Sequence, residues 1–169
     1  GGWKMFFSDN NFEHIYITYA DMVYRICFLS LKNKTDAEDA VQEVFMKLLK
    51  NQAKIKDEYH LKYWLIRVTQ NLCKDIIKKN NHCKNEYLFD IQDSKAYSEN
   101  NSTSYVGEAL EKLSQEYMLP IYLYYYEGYS YKEISTILKI PISTVKMRIH
   151  YAKKKLKLLI EENTKNDRE

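Results

Sequence analysis

Seven basic side chains and no acid occupy residues 139–157: Lys139, Lys146, Arg148, Lys153, Lys154, Lys155 and Lys157. Such a run is the footprint of phosphate binding, even in a chain whose net charge is only +3. Projected at about 100° per residue from Val145, the apolar residues Ile149, Ala152, Leu156 and Leu159 fall within about 40° of one line. Ser143, Met147, His150 and Lys154 take the opposite face, flanked by Lys146, Tyr151 and Lys157. Side chains able to meet base edges thus sit beside cations able to hold phosphates, near the start of a helix. Docking in a DNA major groove needs that combination. The competing reading is a solvated lysine-rich helix in a small bundle.

Two further groups could bind partners. Asp36, Asp39, Gln42, Glu43 and Met46 share the outward side of an amphipathic segment. An acidic and amide face with an exposed methionine suits docking to a protein, with a plain solvated face as the alternative. Arg67, Asn71, Lys74 and Lys78 recur at i, i+4, i+7 and i+11 and form one stripe, which suits a nucleic-acid backbone. Here too a solvated face competes.

Residues for bond-making chemistry are missing from any useful pattern. His14, His60, His82 and His150 are scattered, and only His82 and Cys83 are adjacent. Cys27, Cys73 and Cys83 form no CxxC and leave one cysteine over. There is no phosphate-binding loop, no metal-ligand spacing and no nucleophile pair. The expectation is a protein that is not an enzyme and uses no cofactor or metal. Cysteine usage fits the reduced cytoplasm. No apolar run approaches the roughly 18–20 residues that cross a bilayer, so direct membrane insertion is not expected.

These groups need elements to position them. Phe12, Ile15, Tyr19, Met22, Val23, Ile26 and Leu29 follow helical spacing and predict a helix from about Asn10 to Leu31. Thr35 and Glu38 read as a capping box opening a second helix to about Lys50, with Ala37, Val41, Val44, Phe45 and Leu48 inward. Polar residues 51–60 read as a loop. A third helix, 61–80, is expected to bury Leu61, Trp64, Leu65, Val68, Leu72 and Ile76.

The polar stretch 83–105 reads as a mobile linker between two small domains, 8–82 and 106–163. A short helix then spans 106–113, and Ser114 is placed to cap a helix over 115–127. Pro120 should bend that helix or delay its start, and Gly128 should end it. Ser130 and Glu133 form a second capping box, for a helix over 131–138. A turn at Lys139-Ile140-Pro141 leads into the final helix. Two helices joined by a tight turn predict a helix-turn-helix, with Ile134, Leu138, Val145 and Ile149 packed between them. Lys139 occupies the turn position where glycine is common, and a left-handed conformation there would cost about 1 kcal/mol. The fold class is all-α.

The run Asp36-Ala37-Glu38-Asp39-Ala40-Val41-Gln42-Glu43-Val44-Phe45-Met46-Lys47 resembles region 2 of bacterial sigma factors. Tyr63-Trp64-Leu65-Ile66-Arg67-Val68-Thr69-Gln70-Asn71-Leu72 resembles its continuation. Glu127–Ser135 followed by Pro141–Arg148 resembles region 4. Both blocks in this order are similar to the extracytoplasmic-function (ECF) sigma factors. The resemblance implies promoter-specific transcription initiation, with core RNA polymerase (β′ clamp helices and β flap), promoter DNA and an anti-sigma factor as partners. It also implies a monomer when free, and a cytoplasmic place unless an anti-sigma factor holds the chain at the membrane.

Site residues follow by position. Asp36, Asp39, Gln42, Glu43 and Met46 match the polymerase-docking surface. Lys56, Tyr59, His60, Arg67, Asn71, Lys74 and Lys78 match the region that meets the −10 element, with the loop 54–60 matching the segment that captures an unstacked base. Ser143, Thr144, Lys146, Met147, Arg148, His150, Tyr151, Lys153 and Lys154 match the −35 readers. The alternative function is a one-component helix-turn-helix transcriptional regulator, with the first half as a sensor or dimerisation domain.

Overall fold

A computed structural model describes residues 9–86 and 105–166. The chain divides into two compact units, Gly1–Ala96 and Tyr97–Glu169. Within the described residues every α-helix falls in one unit or the other. The first contains α1 (Asp9–Leu31), α2 (Lys34–Asn51) and α3 (Glu58–Glu86), with a 3-10 turn at Gln52–Lys54. The second contains α4 (Tyr105–Glu111), α5 (Gln115–Tyr125), α6 (Tyr131–Leu138) and α7 (Ile142–Asn166). The all-α expectation holds.

Only two residues separate α1 from α2, so the chain must reverse sharply. Lys32 does this at φ 57°, with its N–H donating to the Phe28 carbonyl at 2.8 Å. The turn starts α2 earlier than the predicted capping box. Asn33 is the N-cap, its side-chain oxygen accepting from the Asp36 N–H at 2.9 Å. Thr35 therefore lies inside the first turn, and Glu38 instead lines a groove between α1 and α2. Either Asn33 or Thr35 could cap a helix by residue type. The backbone direction set at Lys32 decides between them.

The core of the first unit combines Ile15, Met22, Val23, Ile26 and Cys27 of α1 with Ala37, Ala40, Val41, Val44, Phe45 and Leu48 of α2. On α3 the buried line is Leu61, Leu65, Ile66, Thr69, Leu72 and Cys73. It is rotated from the expected one, leaving Trp64, Val68 and Ile76 half-buried. Thr69 can lie inside because its hydroxyl donates to the Leu65 carbonyl at 2.7 Å. Phe12 and Leu29 are also half-buried rather than core.

The predicted loop 51–60 is mostly structured. Beyond the 3-10 turn, Ile55 is buried and α3 begins at Glu58. Asp57 caps α3, its carboxylate accepting from the His60 N–H. His60 Nδ1 accepts in return from the Lys56 N–H at 3.1 Å. This reciprocal pair fixes the entry to α3. At its far end α3 runs to Glu86, four residues past the expected domain boundary at 82. The rest of the proposed linker, residues 87–104, lies outside the described residues.

In the second unit, α7 packs against α4, α5 and α6. Ser114 has the extended backbone of an N-cap but makes no side-chain cap hydrogen bond. Helix α5 starts beside it without delay and continues through the buried Pro120, which has no N–H to offer the Glu116 carbonyl. Gly128, at φ 72°, turns the chain after α5. Ser130 and Glu133 form the predicted capping box, with Glu133 Oε2 accepting from the Ser130 N–H at 2.8 Å. Lys139 adopts the left-handed conformation, φ 53° and ψ 46°, and its N–H donates to the Ser135 carbonyl. The Ser135 hydroxyl closes the same turn by donating to the Ile140 carbonyl at 2.6 Å.

Candidate nucleic-acid interface

The helix-turn-helix is assembled by burying one side of α7. Val145, Ile149 and Ala152 are fully or nearly fully buried against the neighbourhood of Ile134, Ile137 and Leu138 of α6. This fixes what α7 can present outward. Ser143, Lys146, Met147, His150 and Lys154 are exposed, and Thr144 is half-buried. Met147 stands 54% exposed, an apolar contact surface among cations. The first three turns of α7 thus offer hydroxyl, thioether, imidazole and ammonium groups on one accessible arc.

Three residues matched to the −35 readers have intramolecular partners. Arg148 Nη2 lies 3.5 Å from Glu116 Oε2 of α5, with the arginine side chain only 23% exposed. Tyr151 packs on Tyr117 of α5 with ring centroids 4.5 Å apart. Lys153 Nζ sits 5.9 Å above the Tyr125 ring, and the Tyr125 hydroxyl beside it raises the ammonium pKa. Lys153 also borders an apolar groove of about 480 Å³, with Val106, Leu110, Ile121, Tyr122, Tyr125, Tyr126, Leu156 and Ile160. The partners come from α5, so α7 taken alone could not reveal them.

On α2, Asp39, Gln42, Glu43 and Met46 are exposed, while Asp36 is half-buried at the capped end. Glu43 pairs with Lys47 at 3.1 Å. Leu49 is also exposed, which extends the apolar part of the Met46 surface. Gln42 borders the groove of about 440 Å³ between α1 and α2, with Tyr16, Asp21 and Tyr24.

On α3, Asn71, Lys74 and Lys78 are exposed and Arg67 is half-buried, so the four form the expected stripe along one continuous helix. Lys56 precedes α3, whereas Tyr59 and His60 lie on its first turn. Tyr59 is 60% exposed and packs on the half-buried Tyr63 with ring centroids 4.7 Å apart. Among the described residues no group of three or more His, Cys, Asp or Glu side chains could hold a metal ion.

Two family models match the chain: Sigma-70 region 2 over residues 15–83 and Sigma-70, region 4 over residues 104–156. The chain belongs to the sigma-70 family. The two matches cover α2 with α3 and the helix-turn-helix, the same places where the exposed functional groups gather. Among curated relatives, the ECF RNA polymerase sigma factor SigW of Bacillus subtilis (strain 168) is 29% identical over 167 residues. That match covers 86% of this chain and 87% of SigW. The ECF RNA polymerase sigma factor SigE of Mycolicibacterium smegmatis is 28% identical over 148 residues, or 82% of this chain. This chain spans about 57% of the length of that SigE.

The fold is similar to that of the sigma factor RpoE crystallised with the anti-sigma factor NepR from Bartonella quintana. The TM-score is 0.76 at 23% identity, covering 89% of this chain and 97% of that one. It is also similar to CnrH, solved with the cytosolic domain of CnrY, at TM-score 0.68 and 19% identity, covering 92% and 91% of the two chains. The two sigma-70 regions, with relatives named as ECF sigma factors, identify the protein as a sigma factor of the ECF type. Sigma factors are initiation factors rather than enzymes. No helix among the described residues is long and apolar enough to cross a membrane.

Proposed function

We propose that this sigma factor holds core RNA polymerase through α2, meets the −10 element along α3 and reads the −35 element with the first three turns of α7. One observation carries this reading. The exposed arc of α7 joins base-reading and phosphate-holding side chains on a helix whose other side is locked in a core. Met147 and His150 are its specificity residues. Ser143 and Thr144 lie at the helix start, where recognition helices meet bases, and Lys146 and Lys154 hold phosphates.

Asp39, Gln42, Glu43 and Met46 are the polymerase-docking face, directed at the β′ clamp helices. The stripe Arg67, Asn71, Lys74 and Lys78 follows the −10 strand, and the exposed Tyr59 ring, backed by Tyr63, offers a stacking surface for a displaced base. His60 acts through the capping pair rather than on DNA. The β flap occupies the apolar groove of the second unit, where Lys153 and Lys157 would meet acids flanking an apolar segment.

The chain works in the cytoplasm, as a monomer when free, without catalysis of its own. An anti-sigma factor restrains it, as the complexes of RpoE with NepR and of CnrH with CnrY illustrate for those proteins. The domains fall at 8–82 and 106–163, with 83–105 between them apart from the last turn of α3 and Tyr105, the first residue of α4. A one-component regulator is not favoured, because both sigma regions are present in one chain.

Run-off transcription with bacterial core polymerase tests the reading. Purified protein is expected to yield discrete start sites on host genomic fragments, and no transcripts would refute it. Within that assay, His150→Ala should change which −35 variants are preferred. Lys154→Ala should weaken all variants alike and lower the salt slope by about one.

A further inference from the structure

Glu116 and Tyr117 are consecutive residues in the first turn of α5, and both reach α7. Glu116 Oε2 meets Arg148 Nη2 at 3.5 Å, and the Tyr117 ring meets the Tyr151 ring at 4.5 Å between centroids, tilted 39°. Arg148 and Tyr151 are three residues apart, so they occupy one edge of α7 a turn apart. That edge lies between the buried line of Val145, Ile149 and Ala152 and the exposed arc of Met147, His150 and Lys154. Two contacts on one edge resist rotation of a helix about its own axis. The buried line of Val145, Ile149 and Ala152 sets which side of α7 faces inward, and the two edge contacts hold the flank between that line and the exposed arc.

We infer that Glu116 and Tyr117 are positioning residues for −35 recognition: they hold Arg148 and Tyr151 and so fix the roll of α7. This rests on α7 being the −35 helix. The leverage is geometric. A roll of about 20° moves a side-chain atom about 6 Å from the helix axis by roughly 2 Å, which takes a base contact out of hydrogen-bond range. The aromatic contact adds packing on the same edge, with the two rings 4.5 Å apart between centroids. The carboxylate also lies at the N-terminal end of α5, where the helix dipole favours it. Arg148 and Tyr151 serve as anchors in this arrangement, and the base-reading set narrows to Ser143, Thr144, Met147 and His150.

The test uses the full chain with core polymerase, a library of randomised −35 elements and a range of salt concentrations. Glu116→Gln and Arg148→Gln are expected to shift relative −35 preferences in the same way, by about two- to fivefold, the range of an exposed ion pair. The double variant should shift them no further than either single, because the two side chains act as a unit. The salt slope should stay at the parental value in all three. Tyr117→Ala should alter the profile, while Tyr117→Phe, which keeps the ring contact, should restore it. Thermal unfolding of each variant separates lost fold from lost positioning.

The inference is overturned if Arg148→Gln lowers the salt slope by about one while Glu116→Gln leaves the profile unchanged. Arg148 would then be a direct phosphate ligand. It also falls if the two single effects add in the double variant. If His150→Ala and Lys154→Ala alter neither profile nor affinity, the assignment of α7 to the −35 element fails, and this inference with it.

Discussion

Replacing Lys139 by glycine should make the second unit more stable, although it removes a side chain from the helix-turn-helix. Lys139 sits at φ 53° and ψ 46°, where an L residue brings its Cβ against the following carbonyl. That conformation costs roughly 1–2 kcal/mol. Glycine avoids the cost but loses more backbone freedom on folding, about 0.5–1 kcal/mol. The net expectation is a gain of about 0.5–1 kcal/mol. The exposed Lys139 side chain contributes little packing to set against it.

For a domain of this size about 1 kcal/mol moves the midpoint of thermal unfolding by roughly 4–8 °C. Lys139→Ala is the control, since it removes the charge and the stem but keeps the Cβ, and should change stability by less than about 0.5 kcal/mol. Lys139→Val should be the least stable, because branching at Cβ is poorly tolerated in the left-handed region. Lys32, at φ 57° between α1 and α2, provides an independent repeat in the first unit. Melts followed by circular dichroism on the parent and the three Lys139 variants settle the matter. A glycine variant no more stable than the alanine variant would refute the strain argument at that position. The −35 profile of Lys139→Gly should match the parent, because the turn hydrogen bonds to Ser135 are made by backbone groups.

Charge reversal Asp39→Lys should weaken core polymerase binding several-fold at low salt while leaving helicity intact. Affinity measured at two salt concentrations checks this, and Asp39 is a cleaner probe than Glu43, which already pairs with Lys47. The Tyr19 phenol is pushed up to about 12 by burial and by its hydrogen bond to Glu58 at 3.1 Å. Its contribution to stability is complete below the unfolded-chain value near 10 and is lost as pH rises through about 12. Tyr19→Phe should therefore remove part of the stability decline over that alkaline window in pH-dependent melts. Cys27 and Cys73 have no exposed surface, and the Cys73 sulfur and burial together push the Cys27 thiol up. Both should resist iodoacetamide in the folded protein and react only as the first unit unfolds, as mass spectrometry of digests would show.

Much of this fold was legible because the periodic apolar residues and the cap residues agree. Ser130 and Glu133 predicted the start of α6, and both halves of their capping box are present. Where reading failed, the missing information was tertiary. Asn33 displaced Thr35 as a cap because the left-handed turn at Lys32 decides where α2 begins. Trp64 falls on the apolar line of the third helix by its spacing, yet it is only half-buried. Thr69 takes a buried position on the same helix, its hydroxyl satisfied by the Leu65 carbonyl, so the buried line rotates away from Trp64. The exposed positions on α7 followed from a single helix projected in isolation, and for Met147, His150 and Lys154 that was enough. Arg148, Tyr151 and Lys153 matched the −35 readers by resemblance, and what that match could not show is that Glu116, Tyr117 and Tyr125 approach them from α5. A helical projection orders side chains by angle alone. Whether a cation meets phosphate or a carboxylate of its own chain depends on what stands opposite, and that is set by how α5 packs against α7.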